Sequence, residues 1–583
     1  MLTLRTLRKE LTMTDKINEQ LEEYFKNSKQ EVSFGIQNFQ GVREYTKIPL
    51  APLTLVYGQN SAGKSTIHDA QQFIYGYFSG QWDSATTKEY LNRWANHNRV
   101  SEPLAKGYLG KSDDVVISVS SVTGCDDYFD WQQKTPYQNR YSLGGLPEIL
   151  FNLGQDVFIP FRMDIHFSNS FDVWIIRKIS VYLGDEIFAE FIFDDVFEDT
   201  AVFDLNEEYI LLRINKKHFI YSLLNIYFKG DIEKLSKHPY HHNDGDNWFL
   251  FFDMDPIGGW LDLNSLIGWH GVDECFLESN PSSEILEFRI FILSLLQIPA
   301  IGIVRNFNFA SVPPLRIIPS KQNAVFRFQL NQYGDKSGWE AVAEQVCFKT
   351  MYESIGGKNE SSFSSLYKTN KFLLHESFLN TGYEITGECL FLVPINLIMQ
   401  ENHNHEEIFK LISNNEVEVH LKLINKANGQ LIEIEDVGVG ISQIIPVLTS
   451  IIISNDSRTN SYKAFIQQPE LHLHPKLQAQ LADVFIETVN SHLQAGFFPT
   501  FIIESHSEHF LLRLLRRIRE THKSKNKDLL RGLSSKDISV LYVDKLEDGS
   551  SKIFPLRISP EGEFIDRWPH GFFTERDGEL FDE

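Results

Sequence analysis

The chain has 583 residues, more than a single hydrophobic core usually organises, so several compact regions are expected. Apolar residues make up 42% and charged residues 23% of the sequence, a composition that is typical of folded globular proteins and argues against general disorder. The 55 basic and 78 acidic residues give a net charge of −23, which argues against a protein that coats nucleic acid with its whole surface.

The cysteine spacing and the apolar stretches indicate the compartment. Residues 1–16 interleave charged with apolar residues and contain no continuous apolar segment, so no secretory signal is expected. The most apolar stretch, 441–453, is too short and too polar to cross a bilayer, so we expect a cytoplasmic protein without a membrane partner. No CxxC pair occurs, which argues against a disulfide framework and a cysteine zinc site; the four cysteines are Cys125, Cys275, Cys347 and Cys389.

The first predicted elements are a polar helix and a group of short strands. Residues 1–30 predict a polar helical leader, β-type runs follow from Val32 to Gly58, and residues 67–79 predict a helix. Residues 81–415 mix short β-type runs with loop clusters and helical patches and carry no motif that we can name. No long heptad run appears anywhere, so a coiled-coil arm is not expected.

The last third of the chain alternates between strands and helices. Such alternation predicts an α/β core with a largely parallel sheet. The predicted elements are a strand at 417–425, a helix within 438–450, buried strands at 463–468 and 500–504, helices at 477–493 and 509–520, and a hairpin formed by 538–545 and 552–558.

A complete GxxxxGK[ST] pattern lies between a β-type run and the helix at 67–79, which is the context that a phosphate-binding loop requires. Backbone N–H groups of such a loop and the N-terminus of the following helix face the phosphates. Lys64 is predicted to contact the β- and γ-phosphates of ATP, and the Ser65 hydroxyl to bind Mg²⁺. The predicted nucleotide-binding residues of this loop are Gly58, Gln59, Asn60, Ser61, Ala62, Gly63, Lys64, Ser65 and Thr66.

Three distant segments accompany the phosphate loop: DVGVGISQ at 436–443, FIQQPELHLHP at 465–475 and IIESHSEH at 502–509. Together with Asn38-Phe39 before the loop, their order resembles the ABC-type head ATPases of the SMC, RecF and OLD-nuclease class. The strand end PELHLHP is similar to that of the bacterial AAA-type branch, and WPHGFF at 568–573 resembles one uncharacterised subfamily of this branch. The resemblance covers about 32–80 and 415–580.

The resemblance implies an α/β fold: a P-loop ABC-type ATPase head assembled from N- and C-terminal segments, 31–80 and 416–583, with a large mixed α+β insertion at 81–415. This insertion is where we expect partner or sensor functions. The resemblance also implies a head-to-head homodimer that closes around ATP and Mg²⁺ and controls a separately encoded effector, a nuclease or toxin, in antiphage defence or DNA maintenance. No toprim nuclease is expected, because too little chain follows the head.

The resemblance assigns roles to individual residues. Gly438, Gly440, Ser442 and Gln443 would form the signature segment, which touches the γ-phosphate of a nucleotide held by the opposite subunit; the alternative is a glycine-rich turn that begins a core helix. His506 would be the switch histidine that reaches the γ-phosphate. Residues 471–475 would cross the dimer interface, although the two histidines there could instead be helix-entry caps.

The sequence departs from the family pattern at the end of the strand 463–468. Gln467 stands where an acidic residue supports Mg²⁺, and Gln468 stands where another commonly activates water. An amide is a poor magnesium ligand and cannot act as a general base, so two hypotheses remain: a slow ATPase, or a nucleotide-gated scaffold with little hydrolysis. Gln467 is either the natural residue or a substitution for a natural acidic residue, made to trap bound ATP. Glu470 and Glu504 are the nearest carboxylates that could take part.

One dense basic segment, 513–531, stands out in this acidic chain. Apolar residues at helical spacing, Leu511, Leu514, Leu515 and Ile518, are predicted to pack inward while the arginines face solvent. The segment would then offer a docking surface to nucleic acid or to an acidic protein. The alternative is an ordinary solvated helix face.

Overall fold

The computed structural model describes residues 16–79, 114–124, 157–170, 173–193, 209–228, 242–243, 246–253, 302–304, 306–314, 316, 325–329, 338–354, 364–391, 416–453, 463–494, 499–523 and 532–569, and a few single positions within 86–91 and 291–300. Among these residues, none of the helices is long and apolar enough to cross a lipid bilayer. The same residues contain no group of three or more histidine, cysteine, aspartate or glutamate side chains that could hold a metal ion.

The described strands and helices outside 81–415 follow the predicted order. The strands are β1 (Ser33–Gln37), β2 (Thr46–Pro49), β3 (Leu53–Gly58), β4 (Val115–Gly124), β5 (Phe158–Ser170), β6 (Val173–Leu183), β7 (Glu186–Ile192), β8 (Tyr209–Asn215), β9 (His242–Asn243), β10 (Asn247–Asp253), β11 (Ala310–Val312), β12 (Val325–Gln329), β13 (Tyr383–Phe391), β14 (Glu416–Asn425), β15 (Leu431–Ile432), β16 (Lys463–Gln467), β17 (Thr500–Glu504), β18 (Ile538–Lys545) and β19 (Ser551–Leu556). The helices are α1 (16–27), α2 (Ser65–Phe78), α3 (Phe219–Tyr227), α4 (Gly338–Ser354), α5 (Ser364–Leu374), α6 (Val439–Ile453), α7 (Pro475–Gln494) and α8 (Glu508–Lys523).

The chain divides into two compact units. Unit 1 comprises residues 1–49, 61–308 and 545–553, and unit 2 comprises residues 50–60, 309–544 and 554–583. The division passes through the predicted phosphate loop, between Asn60 and Ser61. Each unit is therefore built from segments that are far apart in the sequence.

Unit 1 is organised around an antiparallel sheet. Nine described strands form it in the order β2-β1-β4-β5-β6-β7-β8-β10-β9. Alternate residues of β5, among them Ile165 and Phe167, are buried, and Phe73 and Tyr77 of α2 pack edge-on against Phe167 at 5.7 and 5.6 Å between ring centroids. This alternation of buried and polar positions is typical of an antiparallel sheet with one covered face.

Unit 2 contains the parallel sheet that the sequence predicts. Its described strands lie in the order β11-β16-β17-β3-β18-β19, and β11, β16, β17, β3 and β18 are parallel to their neighbours. All residues of β3 are buried, as expected for a strand with both faces covered. On one face, Phe485 of α7 packs against Phe501 of β17 and Phe510 of α8 at 5.7 and 5.6 Å. The prediction of an α/β core is confirmed for this unit.

Part of the predicted insertion belongs to the core of unit 2. Trp339 and Val346 of α4 and Leu373 of α5 are buried in the same apolar cluster as Leu55 and Ile466, which lie on the parallel sheet. A second sheet, in which β14 pairs with β12, β13 and β15, packs against this cluster through its buried side chains. The remaining described strands of the insertion, β4 to β10, lie in unit 1.

Candidate nucleotide site

The carboxyl ends of three parallel strands in unit 2 lie at one edge of the sheet. Gln467 at the end of β16 is paired in register with Glu504 at the end of β17, and Glu504 is paired with Val56 of β3. Gly58 ends β3 and begins the phosphate loop. Ligands bind at the carboxyl ends of parallel strands in α/β sheets, so this edge is the candidate nucleotide site.

The first glycine of the loop is required by the backbone. Gly58 has a φ of +148°, in the region that side chains rarely adopt. A Cβ atom at this position would also collide with the backbone carbonyl oxygen of Val543 on the adjacent strand β18. The glycine therefore allows β3 and β18 to pair closely exactly where the chain turns into the loop.

The rest of the loop lies in unit 1, where neighbouring segments brace it. Lys64 is 6% exposed and immediately precedes α2, whereas the side chain of Ser65 is exposed. Thr66 donates a hydrogen bond from Oγ1 to Oε1 of Gln40 at 2.6 Å, and Ser551 donates from Oγ to the carbonyl oxygen of Ala62 at 2.7 Å. Neither Gln40 nor Ser551 belongs to a motif that predicts a contact with the loop, and only the proximity of Gln40 to Asn38-Phe39 could have suggested one.

The strand end of β16 has amide groups where the family pattern has carboxylates. Gln467 donates from Nε2 to Oε2 of Glu504 at 3.4 Å, and both side chains belong to the same edge. The backbone N–H of Gln468 donates to the carbonyl oxygen of Glu504 at 2.7 Å. Gln468 has a φ of +45°, so the chain leaves the sheet here in the left-handed conformation. A carboxylate is therefore present beside Gln467, although it is carried by the neighbouring strand.

The predicted residues Glu470 and His506 meet. Glu470 is 7% exposed, and its Oε1 atom accepts hydrogen bonds from Oγ of Ser505 at 2.9 Å and from the backbone N–H of His506 at 2.7 Å. Its Oε2 atom is buried and has no hydrogen-bond partner among the described residues. Burial raises the pKa of Glu470 despite these hydrogen bonds, so the site holds a carboxylate with increased proton affinity.

The glycine segment at the start of α6 contacts the loop after β16. Gly438 is exposed, and a Cβ atom on Gly440 would lie 2.8 Å from the carbonyl oxygen of His472. Ser442 is fully buried and donates from Oγ to the carbonyl oxygen of Val439 at 3.1 Å, within its own helix. Gln443 is also buried. The segment thus exposes backbone around Gly438, while the two polar side chains point into the unit.

The histidines of the loop after β16 differ in their surroundings. His474 accepts a hydrogen bond at Nδ1 from the backbone N–H of Lys476 at 3.3 Å, at the start of α7. This contact fits the interpretation of His474 as a helix-entry cap. His472 is exposed and has a φ of +64°.

The basic helix α8 is partly neutralised within unit 2. Leu511, Leu514, Leu515 and Ile518 are buried as predicted. The expectation that the arginines face solvent is wrong for Arg513 and Arg517, because both form ion pairs with Asp483 of α7 at 2.7 Å. Asp483 is 1% exposed, and a buried carboxylate requires such partners. Lys525, Lys527 and Arg531 of the predicted surface lie outside the described residues.

The C-terminal tryptophan supports the strand that carries the phosphate loop. Trp568 packs edge-on against Tyr57 of β3 at 5.8 Å and against Tyr542 of β18 at 5.6 Å. Tyr57 in turn donates from its hydroxyl to the carbonyl oxygen of Ser507 at 3.1 Å. Residues 570–573 of the predicted WPHGFF ending lie outside the described residues.

Comparison with known proteins identifies two regions of the chain. Residues 353–511 match the model of an AAA ATPase domain, and residues 533–582 match a family described as a protein of unknown function, DUF3696. The first match contains α6, β16 and β17, and the second contains β18, β19 and Trp568. The comparison with curated proteins finds no match.

The comparison with solved structures matches SMC head domains at TM-scores below 0.5. An SMC head bound to the C-terminal winged-helix domain of ScpA is 11% identical, with a TM-score of 0.35 and coverage of 91% of this chain and 98% of that one. The SMC head domain from Thermotoga maritima is 8% identical, with a TM-score of 0.33 and coverage of 91% and 100%. An SMC head domain with an extended coiled coil from Pyrococcus furiosus, bound to the C-terminal domain of ScpA, is 13% identical, with a TM-score of 0.32 and coverage of 90% and 96%. Similarity at this level gives no information on the ligands or partners of this chain.

The family match and the unit 2 sheet agree with each other. The AAA ATPase model covers the strand end with Gln467 and the segment that holds Glu470 and His506. The phosphate loop begins at the end of β3 in the same parallel sheet. Residues 353–511 are therefore similar to an AAA ATPase domain, and the parallel sheet of unit 2 supports an α/β P-loop ATPase fold.

Proposed function

We propose that the protein binds ATP with Mg²⁺ at the carboxyl edge of the unit 2 sheet and hydrolyses it slowly. One observation carries this proposal: a complete phosphate loop leaves the buried parallel strand β3, whose neighbour β17 ends in Glu504, and β16 on the far side of β17 ends at Gln467. Backbone N–H groups of the loop would hold the phosphates, and Lys64 would neutralise the β- and γ-phosphates. In a chain of net charge −23, such local groups are needed to hold an anion.

The oxygen donors of this chain fit a magnesium ion. Mg²⁺ takes few protein ligands and keeps several waters, so the Ser65 hydroxyl and one further oxygen donor suffice beside the phosphates. When bound, the ion would neutralise charge that develops on the phosphates. Gln467 offers only an amide oxygen, but the carboxylate of Glu504 lies within 3.4 Å of its Nε2 atom. We assign to Glu504 the supporting negative charge that Gln467 lacks.

Hydrolysis needs a group that orients or deprotonates water. Gln468 can orient a water through its amide but cannot take a proton. Glu470 is the candidate proton acceptor, because its carboxylate is buried, has raised proton affinity and keeps one oxygen without a partner among the described residues. The same carboxylate fixes the backbone of His506, which would let the histidine respond to the γ-phosphate.

The proposal extends to a dimer of heads. The glycine turn at the exposed Gly438 and the partly buried Gly440 would bind the γ-phosphate held by a second copy through its backbone N–H groups. Ser442 would stabilise the first turn of α6 that carries these N–H groups, because its hydroxyl donates to the carbonyl oxygen of Val439. ATP-dependent closure would then control a separately encoded nuclease or toxin in antiphage defence or DNA maintenance.

A second candidate function is a nucleotide-gated scaffold that binds ATP and hardly hydrolyses it. The amide side chains of Gln467 and Gln468 at the strand end favour it, because neither can replace a carboxylate in proton transfer. The scaffold and the enzyme share ATP binding and dimer closure and differ only in turnover.

Steady-state phosphate release by the purified protein separates the two functions. We expect tight ATP binding and slow turnover that requires Mg²⁺, and we expect Lys64→Ala to abolish both. Tight binding without any turnover above the Lys64→Ala background would favour the scaffold. Absence of ATP binding by the wild type would refute both functions.

A further inference from the structure

A buried arginine connects the strand end of β16 with helix α6. Arg316 follows the edge strand β11 and is 5% exposed. Its Nη2 atom donates to the carbonyl oxygen of Gln467 at 2.7 Å and to that of Gln468 at 3.2 Å. Its Nη1 atom lies 3.5 Å from the carbonyl oxygen of Gln443, at the long end of hydrogen bonding.

The connection is reciprocal. Gln443 donates from Nε2 to the backbone carbonyl oxygen of Arg316 at 2.6 Å. Gln443 is 6% exposed, so both side chains are buried where they meet. The segment after β11, the first turns of α6 and the Gln467–Gln468 turn are thereby held together by one guanidinium and one amide.

Burial of a positive charge costs solvation free energy, so a buried arginine needs partners that compensate for this cost. Burial lowers the pKa of Arg316 to about 10, and the negative charge of Glu470 acts in the opposite direction. Arg316 therefore stays charged at neutral pH. Its direct partners are carbonyl oxygens, so the guanidinium orders backbone rather than neutralising an adjacent acid.

The geometry of the guanidinium suits this task. Arginine presents donors in a rigid planar fork and can reach carbonyl groups on two different segments at once. A lysine ammonium is a single point charge and cannot reproduce contacts to Gln467 and Gln443 together.

We propose that Arg316 is a positioning residue that couples the glycine segment at the start of α6 to the strand end of β16. The inference rests on the proposed function, because only that function makes both segments act on ATP. Arg316 transmits the position of the Gln467–Gln468 turn to Gln443, five residues beyond the exposed Gly438. Nucleotide bound at the strand end is thereby sensed at the surface that would meet a second copy.

The test compares substitutions in this contact with a matched control. The variants are Arg316→Gln, Arg316→Lys and Gln443→Ala, and the control is Arg327→Gln, an exposed arginine on β12 that pairs with Glu418. Each full-length protein is measured for ATP affinity, for ATP-dependent self-association by sedimentation, for phosphate release and for thermal stability. Arg316→Lys and Gln443→Ala keep the test informative if Arg316→Gln does not fold.

If Arg316 couples the two segments, its substitution should weaken self-association or turnover without weakening ATP binding. In the Arg316 variants, self-association or turnover should weaken by about 10–100-fold, the range of typical coupling energies, while ATP affinity stays within about threefold of the wild type. Gln443→Ala should show the same separation to a smaller extent, and Arg327→Gln should match the wild type.

Two results would overturn the inference while leaving the proposed function intact. The first is wild-type self-association and turnover in Arg316→Lys and Gln443→Ala. The second is a loss of ATP affinity, activity and thermal stability in parallel, which indicates a purely structural arginine. Failure of the proposed function would show in the wild type itself, as an absence of both ATP-dependent self-association and turnover, and the inference would fall with it.

Discussion

The phosphate loop and the strand end of β16 differ in how completely they carry the groups that ATP chemistry uses. The loop has its glycines, Lys64 and Ser65 in one continuous pattern. The strand end has amides at Gln467 and Gln468, and its carboxylates come from other positions, Glu504 on β17 and Glu470 in the following turn. Under the proposed function, ATP binding depends on a local motif, whereas hydrolysis depends on carboxylates from other segments. The difference teaches that a substitution can be expected to change one without the other.

Removal of the loop lysine should have the largest effect. Lys64→Ala deletes the positive charge opposite the β- and γ-phosphates, and we expect ATP affinity to fall by about 100-fold or more, a loss of roughly 2.7 kcal/mol or more. Equilibrium binding of a fluorescent ATP analogue measures this. Lys426→Ala is the control, because Lys426 is exposed and pairs with Glu384. Equal affinity in Lys64→Ala and the control would contradict the assignment of the loop.

Neutralisation of the buried carboxylate should affect turnover and spare binding. Glu470→Gln keeps an acceptor for Ser505 and His506 but cannot take a proton, so we expect kcat to fall by about 10²–10⁴-fold with ATP affinity unchanged. Single-turnover phosphate release measures this effect. Glu384→Gln serves as the control for loss of a carboxylate, and an unchanged kcat in Glu470→Gln would remove Glu470 from the reaction.

Restoring an acid at the strand end should raise turnover. Gln467→Glu places a carboxylate where the family pattern has one, and we expect turnover to increase by about tenfold with a lower magnesium requirement. A magnesium titration of phosphate release measures both quantities. Glu504→Gln should shift the magnesium requirement in the opposite direction, and an unchanged requirement in both variants would refute the shared role of these positions.

The smallest effect concerns stability and pH. Burial raises the pKa of Glu470, so the folded state binds this proton more tightly than the unfolded state. Stability contributed by this site therefore falls as pH rises through the folded pKa. We expect Glu470→Gln to gain stability relative to the wild type on going from about pH 5 to about pH 8, measured by urea unfolding. A pH-independent difference would contradict the raised pKa.

Local patterns in the sequence predicted much of this protein. The phosphate loop, the strands β14, β16, β17, β18 and β19, and the helices α2, α6, α7 and α8 follow from periodicity and from glycine positions, because these signals act between residues that are close in the chain. The match of residues 353–511 to an AAA ATPase domain supports the prediction of an ATPase, and the finer assignment to an ABC-type head stays a prediction. The assignments of individual site residues and of the insertion stay predictions.

Only the tertiary structure decided which distant residues meet. Arg513 and Arg517 were expected to face solvent, but Asp483 lies on a neighbouring helix and binds both. Arg316 carries no motif and is separated from Gln467 by 151 positions, so no local pattern could join them.

What the sequence predicts and what only the tertiary structure shows differ for a physical reason. The sequence by itself determined the glycine and lysine pattern that predicts an anion-binding loop, because such a loop works through its own backbone. Burial, by contrast, depends on the whole fold: the raised pKa of Glu470 and the partners of Arg316 exist only once β11, α6 and β16 are packed together. Interaction energies in this core arise from proximity and desolvation. Neither can be derived from local sequence patterns, because both depend on which distant segments pack together.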